Sequence, residues 1–329
     1  MQHYLYLHIG APKTGSTALQ HFFCNNRKQL LDHNILYPEA SLRAYGHHDI
    51  AFLVAGDYPK WATPQEKGLG ELLGLINQEI ESHQGHLLMS SENFYLLPAP
   101  QRLKEQFEAL AIIPNYQIKI IINVRRQDEA HESWYNQTVK AQGYTHTIDE
   151  SINEFQKLWD YNERLQEWEQ SFGRDNIVVC PYYSVDTDKQ RLFIDFLSVM
   201  GLDSSDFDLP DTPINNAINK DLLEFQRLMN RLPLSHQEKR TFHQELMELT
   251  TASQDLNLFN NSSLLTTKQR NEIMANYAES NRRLSEKHLK GADLFPSRTD
   301  LDDTFEYQET ALNEEKMAYI LGWILSKKD

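Results

Sequence analysis

Cysteine is nearly absent: Cys24 and Cys180 are the two thiols in 329 residues, one in an expected helix and one at an expected strand end. A disulfide framework is therefore not expected, and the pattern suits a reducing compartment, the cytoplasm. Long apolar runs are missing as well. None approaches the roughly 18 residues that cross a bilayer, so no transmembrane segment is expected. The N-terminus has no basic stretch leading into an apolar one, and the first strand begins almost at Met1, so no signal peptide is expected. Positive charge is in deficit. A formal net charge of −15 speaks against a nonspecific grip on nucleic acid and makes a long polyanion an uncomfortable substrate. No convincing metal-binding motif, internal repeat or low-complexity tract stands out. With 40% hydrophobic and 24% charged residues, the composition is that of an ordinary globular protein.

One more absence is local. Residues 8–17 read His-Ile-Gly-Ala-Pro-Lys-Thr-Gly-Ser-Thr, directly after the apolar run Tyr4-Leu5-Tyr6-Leu7. A strand runs into a small-residue loop, and Ser16 opens a helix, the layout in which backbone N–H groups face an anion. In the common nucleoside-triphosphate loop, Gly-x-x-x-x-Gly-Lys-Ser/Thr, a lysine follows the second glycine. Gly10 and Gly15 have that spacing, yet Ser16 holds the lysine's place and Lys13 lies inside the loop. The chain is expected to cradle a phosphate-like group without the layout of an ordinary ATPase.

A helix is expected over about 16–31, closed by Asn34-Ile35-Leu36-Tyr37-Pro38, where Pro38 disfavours helix at Tyr37. A looser stretch follows around Gly46-His47-His48-Asp49, then a helix over 65–83. The second strand is 86–90, ending at Ser91-Glu92. A helix near 100–111 leads to a third strand, 117–124, whose Ile118, Ile120, Ile121, Ile122 and Val124 suit burial on both faces of a parallel sheet. Helices at 127–141, 161–171 and 187–200 bracket a short strand at 176–180. Strands alternating with helices point to an open parallel α/β sheet flanked by helices, covering residues 1–209. Beyond Leu209 the expected segments, 219–231, 235–250, 267–289 and 312–326, are helical. Residues 210–329 are thus expected as a helical portion packed on the sheet domain, with an acidic run at 300–315.

Ligands of open α/β sheets sit outside the carboxyl ends of the strands. There the three best strands carry Lys13-Thr14-Gly15-Ser16-Thr17, Ser90-Ser91-Glu92 and Arg125-Arg126. Ser133 lies eight residues after Arg125 on the following helix. A strand-end arginine and a hydroxyl two turns along can grip one phosphate.

Pro12 through Leu19 resembles the 5′-phosphosulfate loop of sulfotransferases that use 3′-phosphoadenosine 5′-phosphosulfate. Val124-Arg125 through Ser133-Trp134-Tyr135 is similar to that family's 3′-phosphate motif. The loop is closest in style to carbohydrate-type and bacterial members; the Thr-Thr-Trp ending of aryl and steroid enzymes is absent. Arg126-Gln127 departs from the polar residue and proline usual after the arginine. Residues 277–295 are similar to the C-terminal region of bacterial members.

The resemblance implies a P-loop-like sulfotransferase fold over roughly residues 1–200. It also implies transfer of a sulfuryl group to a hydroxyl of a sugar or glycoconjugate. Lys13 would contact the departing bridge oxygen, where charge builds. Thr14, Gly15, Ser16 and Thr17, with Lys13, would hold the 5′-phosphate, and Arg125 and Ser133 the 3′-phosphate. Leaving-group stabilisation by Lys13 needs no obligatory metal. A neutral hydroxyl needs a general base, worth about 10²–10⁴-fold. Carbohydrate sulfotransferases of the hexuronyl 2-O type carry a catalytic histidine before a stretch like Ile50-Ala51-Phe52-Leu53, which indicates His48, with His47 one residue away. Glu92, at the end of the second strand, is the other candidate. His8 and His21 are read as structural. Two further hypotheses remain: a divergent P-loop phosphotransferase, and a non-catalytic nucleotide-binding scaffold. Acceptor identity and oligomeric state are not written in the sequence.

Overall fold

The computed structural model describes residues 2–59, 62–109, 116–183, 190–210, 218–256, 258–260, 262–295 and 312–327. Five strands, β1 (His3–His8), β2 (Ile35–Leu36), β3 (His86–Ser90), β4 (Tyr116–Arg125) and β5 (Ile177–Tyr182), form one sheet in the order β2-β3-β1-β4-β5. Every pairing is parallel. β1 sits centrally, with His8 beside Ser90 on one flank and Ile121 on the other. Its crossover leads to the β2–β3 side, whereas β4 lies on its opposite side, so the crevice opens at the carboxyl ends of β1 and β4. Ile120, Ile121, Ile122 and Val124 are fully buried, as a strand covered on both faces requires.

The chain divides into two compact units. The first comprises residues 1–126, 160–214 and 279–295 and holds the sheet. Its helices include α1 (Ser16–Asn25), α2 (Arg27–Asp32), α3 (His48–Ala55), α4 (Leu69–His83), α5 (Pro100–Ala109), α8 (Tyr161–Phe172) and α9 (Arg191–Val199). Leu19, Phe22 and Phe23 of α1 pack with Tyr6, Leu88, Ile121, Phe193 and Phe196 in its core. The second unit comprises residues 127–159, 215–278 and 296–329. It contains α6 (Gln127–Gln142), α7 (Ile148–Glu154), α10 (Lys220–Met229), α11 (His236–Ala252) and α13 (Glu314–Ser326), while α12 (Thr267–His288) starts in it. Tyr135 and Val139 of α6 join Leu222, Leu246, Leu249 and Ile320 in a separate apolar core. Residues 127–159 therefore cluster with the later helices and 279–295 with the sheet, a division unlike a single cut at 209/210. Among the described residues beyond Leu209 no strand occurs.

Two local expectations are corrected. The helix expected over 16–31 is two helices, broken at Asn26. The buried Asn26 side chain donates to the carbonyls of Phe22 (3.1 Å) and Asp208 (3.2 Å) and accepts from the Asp208 N–H (2.8 Å). The looser stretch after Gly46 is helical from His48 to Ala55. No side chain caps its start, and its middle is β-branched and aromatic, both weak helix signals. Burial of Ile50, Ala51, Phe52 and Val54 overrides them, and Gly56 closes the helix in the left-handed region, φ 90°. Parts of the segments expected at 100–111, 187–200 and 300–315 lie outside the described residues.

Asn26→Ala removes three side-chain hydrogen bonds, two of them to the Asp208 backbone, while the Phe22 carbonyl keeps the Asn26 N–H at 3.0 Å. At about 0.5–1.5 kcal/mol for each bond lost, the variant should lose several degrees in Tm. Differential scanning calorimetry against the parent checks this.

Candidate functional site

The loop leaving β1 keeps pairing with β4 beyond the strand's end: Ile9 N–H donates to the Ile121 carbonyl (2.9 Å) and Ala11 N–H to that of Asn123 (3.1 Å). It then turns. Gly10 (φ 32°), Lys13 (φ 66°) and Gly15 (φ 84°) all take positive φ. At Lys13 this is an uncommon state for a residue with a Cβ, and such strain persists only where the surroundings enforce it. Thr14 Oγ1 donates to the Ala11 carbonyl at 2.6 Å and closes the turn. Gly15 caps α1 without a side-chain bond, and the first intrahelical bond is Leu19 N–H to the Gly15 carbonyl (3.1 Å). The first-turn N–H groups thus face the mouth of the loop.

The glycines are required. A Cβ on Gly10 would stand 2.4 Å from Ser16 Oγ and 2.8 Å from His8 Nε2; one on Gly15 would stand 2.6 Å from Leu192 Cδ2. Ser16 Oγ is buried with no hydrogen-bond partner among the described residues. Buried polar atoms are normally satisfied. A cradle with a spare hydroxyl, bare glycine walls and a helix N-terminus suits a phosphate-sized anion. Thr17 is exposed on α1.

Arg125, the last residue of β4, reaches this loop: its Nη1 donates to the Lys13 carbonyl at 3.1 Å. Its guanidinium lies 5.5 Å from the centre of the Tyr182 ring, its register partner on β5. Tyr161 fixes its main chain, with the phenol donating to the Arg125 carbonyl (2.8 Å) and accepting from the Arg125 N–H (3.4 Å). Lys13 and Arg125 therefore share one rim of the sheet. Ser133 stands half-buried on α6, in the second unit.

The turn after β3 gathers the acid–base candidates. His47 is fully buried; its Nδ1 accepts from the Ser90 N–H (3.1 Å), and its Nε2 faces the Pro38 carbonyl (3.2 Å). Both ring nitrogens are occupied by backbone, and burial pushes the imidazole down to about 3. His48, one residue on, is partly open. Its Nδ1 lies 2.8 Å from Ser91 Oγ and 2.9 Å from Asn93 Nδ2, with Glu92 Oε2 at 3.9 Å. Glu92 in turn accepts from Gln20 Nε2 of α1 at 2.8 Å. A Cβ on Gly46 would stand 2.7 Å from His48 Nε2 and 2.9 Å from Gln20 Cδ, so the ring packs closely against this glycine.

His8 is buried beneath the loop with Nδ1 2.7 Å from Ser90 Oγ, and burial pushes it down to about 3. Ser91, Asn93, Gln20, Gly46 and Tyr161 carry no motif that sequence reasoning could have used, apart from the place of Ser91 at a strand end. Trp134 and Tyr135 belong to the second unit's interior: Tyr135 is in its core, and Trp134 packs edge-on against Phe155 and Trp159. Among the described residues no three His, Cys, Asp or Glu side chains group as metal ligands would, and no helix is long and apolar enough to cross a membrane.

No family model matches the chain. An uncharacterized protein of Archaeoglobus fulgidus is 26% identical over 208 residues, 62% of this chain. The match takes in 54% of that protein, so the chain spans about half the length of its relative. A crystal structure of a sulfotransferase from Alicyclobacillus acidocaldarius aligns over 73% of this chain and 100% of that one, with 15% identity and a TM-score of 0.41.

His8 and His47 are neutral in the fold down to about pH 3, whereas in the unfolded chain each takes a proton below its ordinary 6.5. Their contribution to stability is therefore complete above 6.5 and is lost as pH falls towards 3, at about 1.4 kcal/mol per pH unit for each group. Urea midpoints measured from about pH 7.5 down to about pH 5 should fall, and less steeply in His47→Gln.

Proposed function

We propose that this chain is a sulfotransferase that moves a sulfuryl group from 3′-phosphoadenosine 5′-phosphosulfate to a hydroxyl of a carbohydrate or glycoconjugate. The observation that carries the proposal is the rim shared by Lys13 and Arg125. Lys13 stands inside a glycine-bounded anion cradle, in a left-handed backbone state, and its carbonyl accepts from the strand-end guanidinium at 3.1 Å. A loop built for a nucleoside triphosphate would carry its lysine after Gly15, and Ser16 is there instead.

The co-substrate supplies a sulfuryl group attached to a phosphate leaving group. Thr14, Gly15, Ser16 and Thr17 would hold the 5′-phosphate, with the N-terminus of α1 behind them. The Lys13 ammonium would neutralise charge that develops as the leaving group departs, which is where a fixed cation counts most. Arg125 and Ser133 would hold the 3′-phosphate, the group that separates this donor from ATP. His48 is the favoured general base: it is partly open and lies beside Glu92 at 3.9 Å. His47 has no free nitrogen with which to take a proton. Glu92, fixed by Gln20, would stabilise the imidazolium formed when His48 accepts the acceptor's proton.

Adenosine 3′,5′-bisphosphate should raise the melting temperature; at about 100 Kd the stabilisation is about 2.7 kcal/mol. Arg125→Ala should remove most of that shift, and Lys13→Ala should cut transfer from labelled donor by at least about 10²-fold. Stabilisation by ATP with Mg²⁺ instead of the bisphosphate supports the phosphotransferase and overturns the proposal. Bisphosphate binding with no transfer to any sugar, lipid or phenol supports the scaffold.

A further inference from the structure

We propose that Ser91 and Asn93 are positioning residues that hold His48 as its Nδ1–H tautomer, which leaves the lone pair on Nε2 as the proton acceptor. The inference rests on the sulfuryl-transfer proposal only for the identity of the proton that Nε2 takes.

Three distances define the arrangement. His48 Nδ1 lies 2.8 Å from Ser91 Oγ and 2.9 Å from the Asn93 amide. The Asn93 amide is itself 3.4 Å from Ser91 Oγ. In addition, the Asn93 backbone N–H donates to Ser91 Oγ at 3.1 Å, which occupies one hydroxyl lone pair. A neutral imidazole nitrogen offers either one hydrogen or one in-plane lone pair. If Nδ1 carried the lone pair, the serine hydroxyl and the asparagine NH₂ would both have to donate to it.

With the hydrogen on Nδ1 and the Asn93 amide turned, the ring nitrogen, the Ser91 hydroxyl and the Asn93 oxygen are each paired. Nδ1–H donates to Ser91 Oγ; the Asn93 amide turns its oxygen to the same hydrogen and accepts the Ser91 hydroxyl. Such an amide turn exchanges oxygen and nitrogen at nearly the same positions. Charge favours the same state. Glu92 Oε2, 3.9 Å from Nδ1, attracts a hydrogen there and repels a lone pair.

The other neighbours are consistent with this tautomer. Gln20 of α1 holds Glu92, His47 is buried and neutral, and Asp49 of α3 is paired with Arg43 at 2.7 Å. None of these competes for Nδ1. The opposite edge of the ring borders Gly46, where a Cβ would stand 2.7 Å from Nε2 and 2.9 Å from Gln20 Cδ. Ser90 and Ser91 thus divide two tasks: Ser90 Oγ serves His8 beneath the phosphate loop, and Ser91 Oγ serves His48.

The test needs no turnover. Long-range ¹H–¹⁵N spectra of histidine-labelled protein, with the His48 signals assigned by their loss in His48→Gln, report which nitrogen carries the hydrogen. Nδ1–H is expected, and an Nε2–H tautomer in the parent overturns the proposal. Asn93→Asp should raise the pH midpoint of the His48 signals, since a second carboxylate stabilises the imidazolium. It should move the acid limb of the pH–rate profile the same way. Ser91→Ala should mix the tautomers and lower kcat about tenfold or more, with the KM for donor and the bisphosphate melting shift unchanged. Ser91→Thr, which keeps the hydroxyl, should restore both. Tautomer and midpoint unmoved in Asn93→Asp and Ser91→Ala overturn the positioning role. An Nδ1–H ring in a protein that binds no bisphosphate leaves this inference standing and removes the sulfuryl-transfer proposal.

Discussion

The backbone of Lys13 lies in the left-handed region, where the carbonyl crowds the side chain's first carbon at a cost of about 1–2 kcal/mol. Thr14 Oγ1 closes the turn locally on the Ala11 carbonyl. A further hold comes from more than a hundred positions away: the Arg125 guanidinium bonds the Lys13 carbonyl, and a hydrogen bond with a charged partner contributes about 1.5–3 kcal/mol. The two magnitudes match, so the loop and the end of β4 define each other. Arg125 in turn is held by the Tyr161 hydroxyl on its main chain, and Thr14 ties the loop to Ala11.

The parallel register turns this pair into a site. β1 lies between β3 and β4, so whatever leaves its carboxyl end is flanked by the ends of both neighbours. Consecutive residues of a strand alternate in direction, and at Ser90 and Ser91 that alternation sends one hydroxyl to His8 and the next to His48. Two buried or half-buried histidines on different elements are thereby referenced to one strand end. The acid–base candidates and the anion cradle are set by the same few backbone bonds, including Ser91 N–H to the His8 carbonyl at 3.0 Å.

Much of this was legible in the sequence because it is local or periodic. The strands at 86–90 and 116–125 are apolar runs with clear limits, and the loop announces itself by glycine spacing and by the displaced lysine. What could not be read depends on distant partners. The break at Asn26 comes from a clamp on Asp208, far along the chain. α3 lacks the capping signal and the residue types that mark helices, and it forms because its apolar side chains are buried. The sequence points to His48 with His47 one residue away; burial and two backbone bonds make His47 structural. Tyr161 stands at the start of α8 in no motif, and its hold on Arg125 exists only in three dimensions.

The clamp at Asn26 has a mechanical consequence. α1 is ten residues long and is pinned at both ends, by Gly15 wedged against Leu192 and Tyr182 and by Asn26 fastened to Asp208. Between them Leu19, Phe22 and Phe23 are embedded in the core. A strut of that kind has little room to slide or pivot, so its positive end stays aimed whether or not an anion is present. The orientation is settled during folding, and an arriving ligand need not organise it.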